Sequence, residues 1–455
     1  MSNFLPNELV KRLSEQEGFD AEAFNKIHQE GDKITSIRLN SLKQNTAPFE
    51  NVTPVPWCDK GYYLTERPVF TLDPLYHAGC YYVQEASSMF IAHILKEIGL
   101  EDSTTRALDL CAAPGGKSTL LTSYLGNRSL VVSNEVIKSR ANILVDNTVR
   151  WGMSNIVVTN NDPSAFKRMP GYFDLLLIDA PCSGSGMFRK DQETIDEWSL
   201  ANVKLCSDRQ KRILAESLNA LVTDGYLIYS TCSYSKEENE DILDWILTEY
   251  AFEPISIAFD SDWGIEETKS TKHQAAGYRF YPHKVRGEGF FVAVLRKREQ
   301  QSTFNRKKSK SEKNVIPLGT VSEWVAQSQD YASFMHGDQI HIFAKDYEED
   351  LKWLQQVLYI KQAGTNIGRW TGRELLPSHD LACSVHIKAD LPAQDVTLDI
   401  ALQFLRKESL DAVDFKAVKS GWCLVRYKGI NLGWVKILPN RINNYYPKEI
   451  RIMNL

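Results

Sequence analysis

The sequence contains no run of roughly 18 apolar residues, so it offers no transmembrane helix. It has no apolar segment behind its first residues either. MSNFLPNELVKRL carries charges where a signal peptide needs an apolar core, which places the chain in the cytoplasm, away from membranes. No two cysteines are spaced as Cys-x-x-Cys, and the nine histidines supply no zinc pattern, so no metal is expected. The eight cysteines at 58, 80, 111, 182, 206, 232, 383 and 423 are therefore free thiols in a reducing compartment, most of them small core residues. Internal repeats and long low-complexity tracts are missing. An excess of positive charge is missing as well: 53 Lys and Arg face 58 Asp and Glu, a net charge of −5 that argues against nucleic-acid binding by the chain as a whole. Its distribution softens that argument. Residues 411–455 hold eight Lys and Arg against three Asp and Glu, a basic module sufficient for phosphate contacts.

What is present fits about three domains in 455 residues. Residues 1–85 read as an accessory unit of strands and helices. Helical spacing runs through 1–34, SIRLN (36–40) reads as a strand with an exposed Arg38, and 54–85 mix aromatics with turn residues. Ser87 or Ser88 is the expected N-cap of the helix that follows, with Phe90, Ile91, Ile94, Leu95 and Ile98 on one face. Over 86–298, short apolar segments at 107–111, 129–134, 155–159, 174–179 and 225–230 alternate with helical stretches at 117–125, 138–150 and 199–221. That alternation predicts a doubly wound α/β domain with a parallel sheet covered on both faces. GFFVAVLRK (289–297) is a late strand, the expected hairpin partner of 277–283. Residues 299–314 have almost nothing to bury and read as a basic linker. A middle C-terminal domain at 315–388 and a tail at 389–455 follow, the tail ending in the short strands of a small β-barrel.

The organising stretch is 107–118, ALDLCAAPGGKS: a buried strand, a tight turn through Pro114, Gly115 and Gly116, then a helix start. GGKST with the later LLLID superficially resembles a Walker pair. The first Walker glycine would fall at Cys111, inside the strand, and Pro114 lacks a needed N–H, which disfavours an ATPase. S-adenosylmethionine has no phosphate and fits better. Gly115 and Gly116 allow backbone approach to its methionine part. Glu135, 20 residues past Gly115, stands where a ribose-binding acid is expected, and Asp162 follows the third strand, where it could accept from an adenine amino group. Either acid alone reads equally well as a helix cap or a solvated loop residue.

Two cysteines sit at neighbouring strand ends amid Ser and Gly: Cys182 in DAPCSGSG and Cys232 in YSTCSYS. A thiol beside a methyl donor suits methylation at carbon 5 of a pyrimidine. Thiolate addition to carbon 6 makes carbon 5 nucleophilic, Asp179 is placed to assist at ring N3, and the carbon 5 proton must then leave before the thiol is eliminated. Spacing alone does not say which cysteine does which step. A non-catalytic RNA-binding or ribosome-assembly factor is the alternative, disfavoured by two intact thiols.

DLCAAPGGKS, DAPCSGSG, STCSYSKEENE, SIRLN, VQEASS and GEGFFVAVLRK together resemble the Sun-type RNA cytosine carbon-5 methyltransferases, over about 36–297. GWCLVRYKGINLGWVK is similar to the PUA-like RNA-binding end of their bacterial RsmF/YebU branch, which methylates small-subunit ribosomal RNA. The resemblance implies a Rossmann-like core that binds S-adenosylmethionine through Cys111, Ala112, Ala113, Pro114, Gly115, Gly116, Lys117, Glu135, Asp162 and Asp179. It makes Cys232 the nucleophile and Cys182 the residue of product release, whereas DNA cytosine methyltransferases use a Pro-Cys cysteine to attack. It further implies ribosomal RNA or the small subunit as partner, bound by a monomer through its N-terminal unit and its tail.

Overall fold

The five short apolar runs form five parallel strands because alternate side chains enter two different cores. In the computed structural model, which describes residues 5–16, 18–30, 33–299, 316, 319–416 and 418–453, the central sheet has ten strands. In chain order they are β1 (Arg106–Asp109), β2 (Leu130–Asn134), β3 (Ile156–Thr159), β4 (Phe173–Asp179), β5 (Leu221–Thr231), β6 (Phe252–Ile255), β7 (Glu266–Lys269), β8 (Ala276–Phe280), β9 (Phe290–Lys297) and β10 (Ile360–Ala363). Leu108, Leu176 and Leu227 abut across β1, β4 and β5 and belong to one core. Ala107, Leu175, Leu177 and Ile228 point the other way, into a second. A strand buried on both faces needs no polar alternation, which is why these runs look continuous in sequence.

The sheet order is β7-β8-β9-β5-β4-β1-β2-β3-β10, with β6 also pairing with β9. β1 to β5 are mutually parallel. β9 runs antiparallel to β5 and forms the expected antiparallel pair with β8. From β1 the chain winds outward through β2 and β3, then returns to the other side of β1 for β4 and β5. The reversal falls between β1 and β4, and a crevice opens at such a point beyond the carboxyl ends of the strands. Helices Gly116–Tyr124, Lys138–Trp151 and Leu200–Ser217 fill the crossovers.

In the N-terminal segment, helices Asn7–Ser14 and Ala21–Glu30 precede a four-stranded antiparallel sheet in the order Thr53–Val55, Cys58–Leu64, Thr35–Leu39, Tyr81–Val83. Arg38 corrects the sequence reading: it is fully buried. Its guanidinium donates to Gln84 Oε1 (2.8 Å), Thr119 Oγ1 (2.6 Å) and the Gly116 carbonyl (3.2 Å), and lies 4.5 Å from the Trp151 ring centre. A cation leaves water only when its donors are met inside, and Arg38 meets them on the helix that begins at the glycine turn. The cap at 87–88 also differs from expectation. Neither serine caps the turn Ser87–Met89 through its side chain; the Glu85 carboxylate accepts from both Ser87 N and Ser88 N at 2.9 Å.

The basic linker lies almost wholly outside the described residues. The section expected as a middle C-terminal domain carries its own four-stranded sheet of Tyr331–His336, Gln339–Ala344, Thr365–Trp370 and Leu375–Pro377. It is also stitched into the core. β10 pairs antiparallel with β3, and Phe343, Leu351 and Leu354 join the core that contains Leu108. The tail forms a second four-stranded sheet of Ala393–Asp395, Gly421–Tyr427, Ile430–Leu438 and Arg441–Asn444, with helix Leu398–Leu405. Lys428 (φ 51°) and Gly429 (φ 77°) close its hairpin, two successive positive φ values as a tight hairpin turn requires. Phe404, Val425, Leu432 and Tyr446 of the tail share a core with Ile37, Leu39, Leu75 and Tyr81 of the N-terminal segment, so the two ends of the chain form one body.

Candidate active site

The glycine turn follows β1. Gly115 has φ +116°, and a Cβ there would lie 3.1 Å from Leu144 Cδ1, so this position takes glycine for both conformation and space. At Gly116 a Cβ would approach the Tyr82 ring to 3.3 Å. Helix Lys138–Trp151 fixes the turn from behind: Asn147 Nδ2 donates to the Pro114 carbonyl (2.7 Å), and Arg140 to the Ala113 carbonyl (2.8 Å). Ala112 N donates to Asn134 O at 2.8 Å, and burial pushes the Cys111 thiol above its ordinary range.

Asp109, the last residue of β1, is a candidate site residue that sequence reasoning missed. It is fully buried; Ser118 Oγ donates to one oxygen at 2.7 Å, while Oδ1 has no hydrogen-bond partner. Burial pushes its carboxyl up to about 7, against the pull of Ser118 and the Lys117 ammonium. An acid inside the apolar run ALDL was itself the signal, since a buried carboxylate needs a reason to be there. The other acids sit where their motifs put them. Glu135 is buried just beyond β2; Oε1 caps Ile137 N (2.9 Å) and Oε2 stands 3.7 Å from Arg140. Asp162 lies beyond β3 but is exposed. Its Oδ1 caps Ser164 N at 3.0 Å and its Oδ2 faces Arg212 at 3.4 Å, so at Asp162 the cap is real and the other oxygen is shared with a surface arginine. The unmet carboxylate oxygen at Asp109 suits the amino group of S-adenosylmethionine, the backbone of the glycine turn its carboxyl group, and the buried acid at Glu135 its ribose. Gly115→Ala strains the turn by about 1–2 kcal/mol, which lowers cofactor affinity roughly tenfold in a calorimetric titration.

The thiols come together as the parallel register requires. Asp179 and Ser230 are opposite each other across β4 and β5, and Ser230 Oγ donates to Asp179 Oδ1 at 2.8 Å. Two or three residues further along each chain, Cys182 Sγ and Cys232 Sγ are 3.0 Å apart. The other oxygen of Asp179 takes the Lys117 ammonium at 2.7 Å. Burial pulls Lys117 down, but the Asp179 carboxylate more than offsets this and its pKa is raised; Lys117 also senses Cys232 electrostatically. Contact with Cys232, burial and the Glu238 carboxylate push the Cys182 thiol well above its ordinary range. The floor under the thiols is glycine by necessity. A Cβ on Gly186 would lie 2.8 Å from the Cys232 carbonyl and 2.5 Å from that of Gly289. Gly186 N in turn donates to the Cys232 carbonyl at 2.8 Å.

Glycine turn, Glu135, Lys117, Asp179 and both thiols thus share the carboxyl end of the sheet. A separate cavity of about 720 Å³, lined by Tyr76, Arg150, Asp380, Tyr446 and Arg451 among others, contains none of them. Among the described residues, no group of three His, Cys, Asp or Glu side chains could hold a metal ion, and no helix is long and apolar enough to cross a membrane.

A doubly wound sheet with this strand order and this cradle defines a methyltransferase whose cofactor is S-adenosylmethionine. The profile of the family 16S rRNA methyltransferase RsmB/F matches residues 98–296, that of the N-terminal domain of 16S rRNA methyltransferase RsmF matches 5–86, and that of the methyltransferase RsmF PUA domain matches 393–452. Ribosomal RNA small subunit methyltransferase F of Aliivibrio salmonicida is 30% identical over 451 residues, covering 91% of this chain and 90% of that protein. Its counterpart in Shewanella piezotolerans is 27% identical over 439 residues, with the same coverage. The chain belongs to the RsmF members of the RsmB/F family. Among solved structures, a methyltransferase homologue from Pyrococcus horikoshii is 26% identical with TM-score 0.53, covering 65% of this chain and 99% of that one. NSun6 from the same organism, solved with SFG, shares the fold at 20% identity and TM-score 0.54, over 66% of this chain and 100% of that one.

Proposed function

We propose that this protein transfers a methyl group from S-adenosylmethionine to carbon 5 of a cytosine in small-subunit ribosomal RNA, through a covalent bond between Cys232 and carbon 6. The observation that carries this reading is the thiol pair, 3.0 Å apart at adjacent strand ends beside the glycine turn. Transfer to a nucleophilic heteroatom needs no thiol, whereas carbon 5 needs one to become nucleophilic and a base to lose its proton. Residues 111–117, Glu135 and Asp162 hold the cofactor, with Asp109 facing its methionine part, and the cofactor supplies an electrophilic methyl that carbon 5 accepts. Cys232 is the attacking thiol. Cys182, pushed up by Cys232, burial and Glu238, is the thiol that keeps its proton while Cys232 attacks. Asp179, held by Ser230 and Lys117, lies between cofactor and thiols, where it can hydrogen-bond the ring near N3. With Cys232 tied up in the adduct, Cys182 gives its own proton to solvent; its thiolate then takes the carbon 5 proton, the C5–C6 double bond re-forms, and the Cys232 thiolate is expelled.

The target base must leave its stack to reach these thiols, which favours single-stranded or loop RNA. The N-terminal segment and the basic tail, joined in one core, form an RNA-binding platform that positions the base by shape and phosphate contacts. We read the enzyme as a cytoplasmic monomer, and the descriptions of the matching family profiles point to the 16S molecule as its substrate. Purified protein incubated with S-adenosylmethionine and small subunits, or their free RNA, is expected to leave one new cytosine resistant to bisulfite. Methyl transfer to RNA with no bisulfite-resistant cytosine overturns the carbon 5 assignment, and the absence of any transfer overturns the whole reading.

A further inference from the structure

The stretch STCSYSKEENE contains three consecutive polar residues, Glu238, Asn239 and Glu240, that touch no reacting atom in the chemistry above, and all three are buried. Glu240 pairs with Arg279, and Asn239 closes the thiol loop locally, accepting from Thr231 Oγ1 (2.6 Å) and donating to the Ser233 carbonyl (2.7 Å). Glu238 does something else. Its Oε1 accepts from Ser183 N at 2.7 Å, and its Oε2 accepts from Ser183 Oγ at 2.6 Å and from Ser233 Oγ. Ser183 follows Cys182 and Ser233 follows Cys232. One carboxylate therefore grips the residue after each thiol, and Gln210 approaches the same Oε1 at 3.5 Å from helix Leu200–Ser217. The Glu238 carbonyl is fixed in turn, accepting from the Tyr229 hydroxyl on β5 at 2.7 Å.

We infer that Glu238 is a positioning residue which sets the separation of the two thiols, clamping the Pro-Cys loop to the Thr-Cys loop. The inference rests on the thiol-pair reading above only for its consequence in catalysis; the clamp itself is a matter of geometry. β4 and β5 end at Asp179 and Thr231, so both cysteines lie past the last ladder bond and nothing in the sheet fixes their spacing. A dianionic pair or two splayed thiols would each spoil a sequence in which one sulfur attacks and the other, a few ångströms away, removes a proton from the adjacent carbon. A misplacement of about 1 Å can cost such a reaction about a hundredfold. The loops also meet through Ser183 Oγ and Ser233 Oγ (3.3 Å), Gly186 N on the Cys232 carbonyl (2.8 Å) and Tyr234 N on Ser185 Oγ (2.9 Å), but only the carboxylate holds the residue directly after each thiol at once with three short bonds.

Thiol spacing can be read without RNA. Phenylarsine oxide condenses with two neighbouring thiols, forming two As–S bonds and releasing one water, with no change of oxidation state. We expect the full-length wild-type protein to capture it in a step lost in both Cys182→Ala and Cys232→Ala. In Glu238→Ala the capture rate should fall at least about tenfold while S-adenosylmethionine affinity stays within about twofold. Glu238→Gln should recover most of the rate, its carbonyl accepting from Ser183 N and its amide donating to the serine hydroxyl oxygens. Should Glu238→Ala not fold, Ser233→Ala, which removes one arm of the clamp, should slow capture severalfold. The inference is overturned if Glu238→Ala, or Ser233→Ala in its place, captures the arsenical at the wild-type rate, or if the wild type shows no Cys182- and Cys232-dependent capture. A wild type that captures the arsenical but methylates no RNA leaves the clamp standing and removes only the proposed reaction.

Discussion

Cys182→Ala protein incubated with S-adenosylmethionine and small-subunit ribosomal RNA should give a covalent protein–RNA band on a denaturing gel. Cys232→Ala should give none, and the double variant should give none. With the base gone, the methylated adduct cannot lose its carbon 5 proton, and loss of a positioned base typically slows such a step by about 10²–10⁴. The adduct then outlives the gel. Removing Cys232 instead takes away the bond on which nucleophilic carbon 5 depends, so methyl transfer should fall below detection. The two thiols, only 3.0 Å apart, could exchange roles on distance alone. The surroundings of Cys182 distinguish them: the neighbouring sulfur, burial and the Glu238 carboxylate push its thiol up, which disfavours it as the attacking sulfur. A band that appears in Cys232→Ala and depends on Cys182 reverses the assignment.

The elements legible in the sequence were those whose burial is two-sided or whose backbone demands a residue type. The five parallel strands announced themselves through unbroken apolar runs, and the glycine turn through a position where φ +116° excludes side chains. The thiols were legible as a pair because two strand-end loops carried Cys amid Ser and Gly. The misreadings have two causes: a polar residue taken to face water that a distant segment had come to meet, and a cap assigned to the wrong neighbour. Arg38 looked exposed because its acceptors, at Gly116 and Thr119, lie some eighty residues away. Ser87 and Ser88 looked like caps because Glu85 was not seen to reach forward to their backbone. Asp109 and Glu238 passed unnoticed. Each is an acid inside a recognised motif; the apolar run ALDL flagged Asp109, but how completely the fold buries Glu238 is not visible in its spacing.

Glu240 and Arg279 give the second large effect. The pair is buried, with Arg279 donating to the two carboxylate oxygens at 2.8 and 2.6 Å and to the Tyr234 carbonyl at 2.9 Å. Burial alone would raise the Glu240 carboxyl, but the guanidinium more than offsets it and the pKa is lowered. In the wild type, then, Glu240 contributes stability that is full above its unfolded pKa and is lost as pH falls through the lower folded value. Arg279→Met leaves a buried carboxylate without its cation, costing about 3–5 kcal/mol and lowering the melting temperature by roughly 3–5 °C near neutral pH. The pH dependence should also change sign. With the guanidinium gone and chiefly the Thr268 hydroxyl left to oppose burial, the folded pKa rises above the unfolded value of about 4.3, the folded state holds the extra proton, and stability now falls as pH rises through that window. Melting temperatures from pH 4 to 8 should show the deficit of Arg279→Met widening with pH. Arg279→Met with Glu240→Leu, which removes the stranded charge, should recover much of it. A deficit that is the same at every pH would mean that lost packing, not an unpaired carboxylate, is responsible. Because Arg279 also holds the Tyr234 carbonyl, two residues past Cys232, the single variant should lose methyl transfer at temperatures well below its melting point, while the double variant, still without that bond, should regain stability without regaining full activity.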